Sequence, residues 1–136
     1  MRQQSLMILS LITMVLLIGA STGLGLAAPP GKETAVVDLQ DKTLLGKTVL
    51  QGKYIFVHDD SRMAKDESCF YVYEYAENEM GQPEPRTEKM VVSFHCEPVA
   101  HPKAGQIVLT YGMTAAGQFQ LREIQFAGST EGHRVP

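Results

Sequence analysis

The 136-residue sequence predicts an all-β fold: a single small antiparallel sandwich or barrel of five to seven strands, following a cleaved signal peptide. Three observations carry this. From Ala35 onward, short segments alternate apolar and polar residues with period two. Those segments are rich in β-branched and aromatic residues and are bounded by Gly, Pro, Asn or Asp. Apolar residues at helical spacing are scarce throughout the same region.

The chain opens "MRQQSLMILSLITMVLLIGASTGLGLAAPPGKE". Arg2 supplies a positive start, residues 6–18 form an apolar run broken only by Ser10 and Thr13, and residues 19–28 are small. That order is a secretory signal. Its apolar core of about thirteen residues is shorter than the roughly twenty a membrane-spanning helix needs, so no stable anchor is expected after cleavage. Gly25 and Ala27 suit the peptidase and place the cut before Ala28. The expected organisation is a signal peptide at 1–27, a flexible leader at 28–34 and one all-β domain at 35–136. A mature chain of roughly 108 residues is enough for one domain with a true core.

Within the domain, "AVVDL" (35–39) and "KTVLQ" (47–51) are the weaker strand segments. "KYIFVH" (53–58) puts Tyr54, Phe56 and His58 on one side. "CFYVYEY" (69–75), "KMVVSFHC" (89–96), "QIVLTY" (106–111) and "QFQLREIQF" (118–126) are stronger. A helical turn fits "SRMAKDE" (61–67), with Ser61 as its cap. In the last strand the apolar face switches between Leu121 and Ile124, which predicts a β-bulge near Arg122-Glu123. The closing "AGSTEGHRVP" (127–136) reads as a tail, with turns at Gly128 and Gly132 and Glu131 able to pair His133.

The stretch "SFHCEP" sets His95 beside Cys96, one of two cysteines. Cys69 and Cys96 end two strands that flank a polar loop at 76–88. With Cys69 opposite Cys96, Tyr71 faces Phe94, Tyr73 faces Val92 and Tyr75 faces Met90, all on the cysteines' side. Export moves the pair into an oxidising compartment, where a disulfide is the usual state. Closing a loop of about 28 residues stabilises a fold by roughly 3–4 kcal/mol in the chain-entropy model. On this register His95 points away from Cys96, so "SFHCEP" reads as a staple beside an outward histidine.

A metal site is the competing reading. His58 is followed by Asp59-Asp60, with Met63 five residues on, and His95 or His133 would complete a copper or zinc site. Against it, Asp59-Asp60-Ser61 suits a turn and Met63 suits the core. Catalytic signatures such as Gly-x-Ser-x-Gly or His-Glu-x-x-His are missing, so no enzymatic activity and no cofactor are expected. Losing Arg2 takes the formal net charge from −3 to −4, with scattered lysines, which excludes a nucleic-acid footprint.

At "GKYIFVHDD", "SFHCEPV" and "FQLREIQFAGSTEGHRVP" the chain resembles a group of small exported bacterial proteins of unassigned activity. The resemblance spans residues 52–136 and implies a bacterial source without assigning any residue a role. The sequence thus points to a secreted or periplasmic, disulfide-stapled binding or structural module. Its partner would be an unidentified protein or small molecule.

Overall fold

The computed structural model describes residues 31–136; the expected signal peptide and the start of the expected leader lie outside the described residues. Among the described residues the chain forms eight strands and two short helical turns. Strands β1 (Lys32–Leu45) and β2 (Thr48–Asp59) form the longest hairpin, turned by Gly46-Lys47. Gly46 has φ +60°, the left-handed conformation that such a tight turn requires. The strand begins at Lys32, so residues 32–34, expected in the leader, belong to the sheet.

A bulge interrupts β1 between Leu39 and Thr43. There the Gln51 side-chain amide donates to the Gln40 carbonyl, and the Thr43 hydroxyl donates to that of Asp41, so carbonyls freed from the ladder still find donors. Beyond the bulge, Thr43 and Leu44 pair in parallel with Phe119 and Gln120 of β7 (Phe119–Gln125). The sheet is therefore mixed, a departure from the fully antiparallel arrangement expected.

The remaining strands are β3 (Phe70–Glu74), β4 (Met90–Phe94), β5 (Glu97–Ala100), β6 (Val108–Met113) and β8 (Glu131–Arg134). Their order is β4-β3-β2-β1-β7-β8-β5, with β6 paired to β7. One curled sheet forms a half-barrel, with eight strands where five to seven were expected. Strands β4 and β5 lie at opposite ends of that order, yet only His95 and Cys96 separate them in sequence. A link this short spans about 10 Å at most, so the sheet has to curl until its ends nearly meet.

The helix α1 (Asp60–Met63) is capped by Asp59, whose carboxylate accepts from the Ser61 N–H at 3.0 Å; Asp59, rather than Ser61, is the cap. The β3–β4 hairpin is present, but its register differs by one residue from the expected one. Phe70 pairs with Phe94, Tyr71 with Ser93 and Val72 with Val92. Phe70 and Val72 therefore face the core, while Tyr71 and Tyr73 are half-buried on the other face, their rings 6.4 Å apart. Phe70 and Val72 carry no polar side-chain group to satisfy, whereas the Tyr71 hydroxyl donates to the Ser68 carbonyl, so the Phe70 face is the one that turns inward.

The bulge expected in β7 is present. Thr110 pairs with Glu123 and Tyr111 with Leu121, leaving Arg122 as the extra residue. Leu121 and Ile124 are consequently both buried and Arg122 is exposed. The expected tail is instead a strand: β8 lies between β7 and β5, with Gly132 opposite both Val99 and Gln125.

Phe70 sits at the centre of the concave side. Its ring lies 5.8 Å from Phe56, 4.9 Å from Phe94 and 5.8 Å from Phe126. Replacing Phe70 by Ala removes its contacts to Phe56, Phe94 and Phe126 and should cost about 3–5 kcal/mol, read as a lower urea midpoint at unchanged slope.

Candidate metal centre

The strand registers lay Glu33 of β1, His58 of β2, Phe70 of β3 and Phe94 of β4 in one row across the sheet. His58 shares its side of β2 with Phe56, two residues away, and so enters the core with it. From the far part of the curl, His133 of β8 reaches the same spot. The two imidazoles stack with centroids 3.7 Å apart and planes 26° apart. Both are buried, at 0% and 1% exposure.

Glu33 serves both rings. Its Oε2 is 3.0 Å from His133 Nε2 and 3.5 Å from His58 Nδ1. The other nitrogen of His133, Nδ1, faces the Cys96 sulfur at 3.7 Å. One nitrogen of each histidine and the Cys96 sulfur lie within 4.8 Å of one another. Cys96 is carried by the two-residue link that joins the ends of the sheet. Its sulfur is 2.9 Å from that of Cys69, both cysteines are unbonded thiols, and the Cys96 N–H donates to the Cys69 sulfur at 3.4 Å.

Four polar side chains are buried in the described domain: Thr43, His58, Gln125 and His133. Thr43 has its carbonyl partner at the bulge. Gln125 donates to the Pro102 and Ser129 carbonyls. His133 meets Glu33. His58 differs, since neither of its ring nitrogens has a hydrogen-bond partner. The Glu33 and Asp60 carboxylates each stand 3.5 Å from Nδ1 without hydrogen-bond alignment. Buried donors and acceptors are almost always paired, so an orphaned imidazole in a ring of donors points to a ligand.

Burial holds the His58 pKa below its ordinary value, and proximity to His133 lowers it further. The imidazole is thus kept neutral, the form that binds metal. Burial first, and then the contact with Cys69, raise the Cys96 thiol above its ordinary range. A bound cation opposes that shift directly, because a coordinating thiol is deprotonated.

Of the residues expected in a metal site, His58 and His133 come together. Met63 packs against the apolar core instead. His95 turns to the rim, with Nε2 3.0 Å from Asp66 and Nδ1 3.9 Å from the Cys69 sulfur. His101 pairs with Glu123 above Gly132. Cys96, read in the sequence as half of a staple and set aside as a donor, stands beside the two histidines, and Glu33, the shared carboxylate, went unrecognised. The signal for Glu33 was available, because Glu33, Ala35, Val37 and Leu39 continue one period-two face. Neither a family model, nor a curated protein, nor a solved structure matches this chain.

The neutral His58 makes the metal-free protein sensitive to acid. Unfolded, its imidazole takes up a proton near 6.5; folded, only at lower pH. The unfolded chain therefore binds more protons in that window, and stability falls as pH drops through the unfolded value. Urea midpoints of metal-free protein should fall between about pH 7.5 and about pH 5.5, and His58→Leu should flatten that dependence.

Proposed function

We propose that this chain is a secreted or periplasmic binding protein that holds one copper or zinc ion through His58, His133 and Cys96, without catalysing a reaction. The observation that carries this reading is the buried His58, with no hydrogen-bond partner, beside an imidazole and a thiol within 4.8 Å. Two imidazoles and a thiolate form a donor set suited to copper and zinc and unsuited to calcium or magnesium.

The surroundings support the same reading. Metal-bound histidines normally give their second nitrogen to a carboxylate, which fixes the ring. His133 has that arrangement, with Nε2 on Glu33 and Nδ1 turned to Cys96. For His58, Nδ1 is the nitrogen near Glu33 and Asp60, which leaves Nε2 as the donor atom.

One observation favours a second reading, a disulfide-stapled structural or binding module for a protein or small-molecule partner. The Cys69 and Cys96 sulfurs are 2.9 Å apart, and oxidation of the pair would make the staple. Native and denatured intact masses of the purified protein separate the two. Reduced protein should take up one copper or zinc ion per chain. His58→Ala and His133→Ala should each weaken it at least about 100-fold, and Glu33→Gln, which only orients, about 10-fold. A disulfide-bonded protein that takes up no ion even after reduction would leave the stapled module.

A further inference from the structure

Cys96 has two competing fates. As a thiolate it can serve the metal ion, and as half of a disulfide it cannot, because its lone pair and charge are spent in the S–S bond. The Cys69 sulfur is 2.9 Å away, so bond formation needs the two atoms to close by less than about 1 Å. Cys69 is not among the mutually close donor atoms, so it is free to act as the second thiol.

Access to the pair is one-sided. A cavity of about 330 Å³ opens at the sheet's mouth, walled by His95, Cys96, Glu97, Arg134, Val135 and Pro136. Cys96, 2% exposed, is on that wall, while Cys69 is wholly buried and does not line it. An incoming reagent therefore meets Cys96 first.

We propose that the Cys69–Cys96 pair exchanges with small disulfides entering this cavity, and that closure of the protein disulfide discharges the metal ion. This rests on the metal reading above. In the first step Cys96 sulfur attacks one sulfur of the incoming R–S–S–R; a Cys96–S–R bond forms and one R–S⁻ leaves. In the second, Cys69 sulfur attacks Cys96 sulfur and displaces the other R–S⁻. The Cys69 proton ends on one released R–SH; in the metal-loaded protein Cys96 is already a thiolate, so the second released R–S⁻ takes its proton from solvent. The protein dithiol loses two electrons and the small disulfide gains them.

The coupling is reciprocal: if the disulfide excludes the ion, the ion must also protect the thiols. The test uses the full mature protein, fully reduced, loaded with zinc alone, and treated with oxidised glutathione. Released zinc and denatured mass are followed together. Zinc should leave in step with a mass loss of about 2 Da per chain, and saturating zinc should slow that loss at least about tenfold. Cys69→Ser spares the three metal ligands and should bind zinc; the zinc that oxidised glutathione releases from it should accompany a glutathione adduct on Cys96, with no loss of about 2 Da, and reduced glutathione should reverse it. A protein that forms the Cys69–Cys96 bond and keeps its zinc overturns the coupling while leaving the metal reading intact. So does one whose thiols resist glutathione with or without zinc. Reduced protein that takes up no zinc overturns the metal reading and the coupling with it.

Discussion

Two residues, His95 and Cys96, join the strands at opposite ends of a seven-strand path, and the rest of the architecture answers to that short link. A flat sheet of this order would hold β4 and β5 several strand spacings apart. The link forbids that, so the sheet curls. Curling turns one face inward and lets Phe70 and Phe126, from well-separated strands, share a core. It also carries His133 across the interior onto His58, although β2 and β8 are not neighbours. Bulges in β1, in the β3–β4 pair and at Arg122 of β7 add local twist to the sheet.

The same curl concentrates polar chemistry in an apolar setting. Thr43 and Gln125 are buried beside carbonyls that satisfy them. His58 is buried without that relief, at a cost that folding alone does not recover. Glu33 moderates it by lying near both rings. Sites of this kind are where a sequence departs from the rules that stabilise the remainder.

Much of the fold was legible. Alternation found the β-segments, and the switch between Leu121 and Ile124 revealed the bulge before any register was known. Placing Phe56 and His58 on one side of β2 already put that histidine on a core face. The errors share one cause: local pattern does not report what lies across the interior. The register of β3 against β4 was drawn from the cysteines, whereas the apolar face of Phe70 and Val72 sets it. Residues 127–136 look like a tail because "GSTEG" is turn-rich, yet β8 is held between two strands. Glu33 was lost by treating 28–34 as leader. The meeting of His58, His133 and Cys96 needs a strand order that no short window of sequence contains.

The Glu33–His133 contact joins residues 100 positions apart, close to the full span of the domain. A chain made from its amino end presents Glu33 and His58 early and His133 almost last. Contacts of this separation form late and limit folding rates, because so much chain must be ordered before they are made. The proposed set of His58, His133 and Cys96 is therefore incomplete on every chain that ends before β8. A nascent or truncated copy ending before β8 has His58 without the imidazole it stacks on. On the proposed reading, competence to bind becomes a report that the whole domain has been completed.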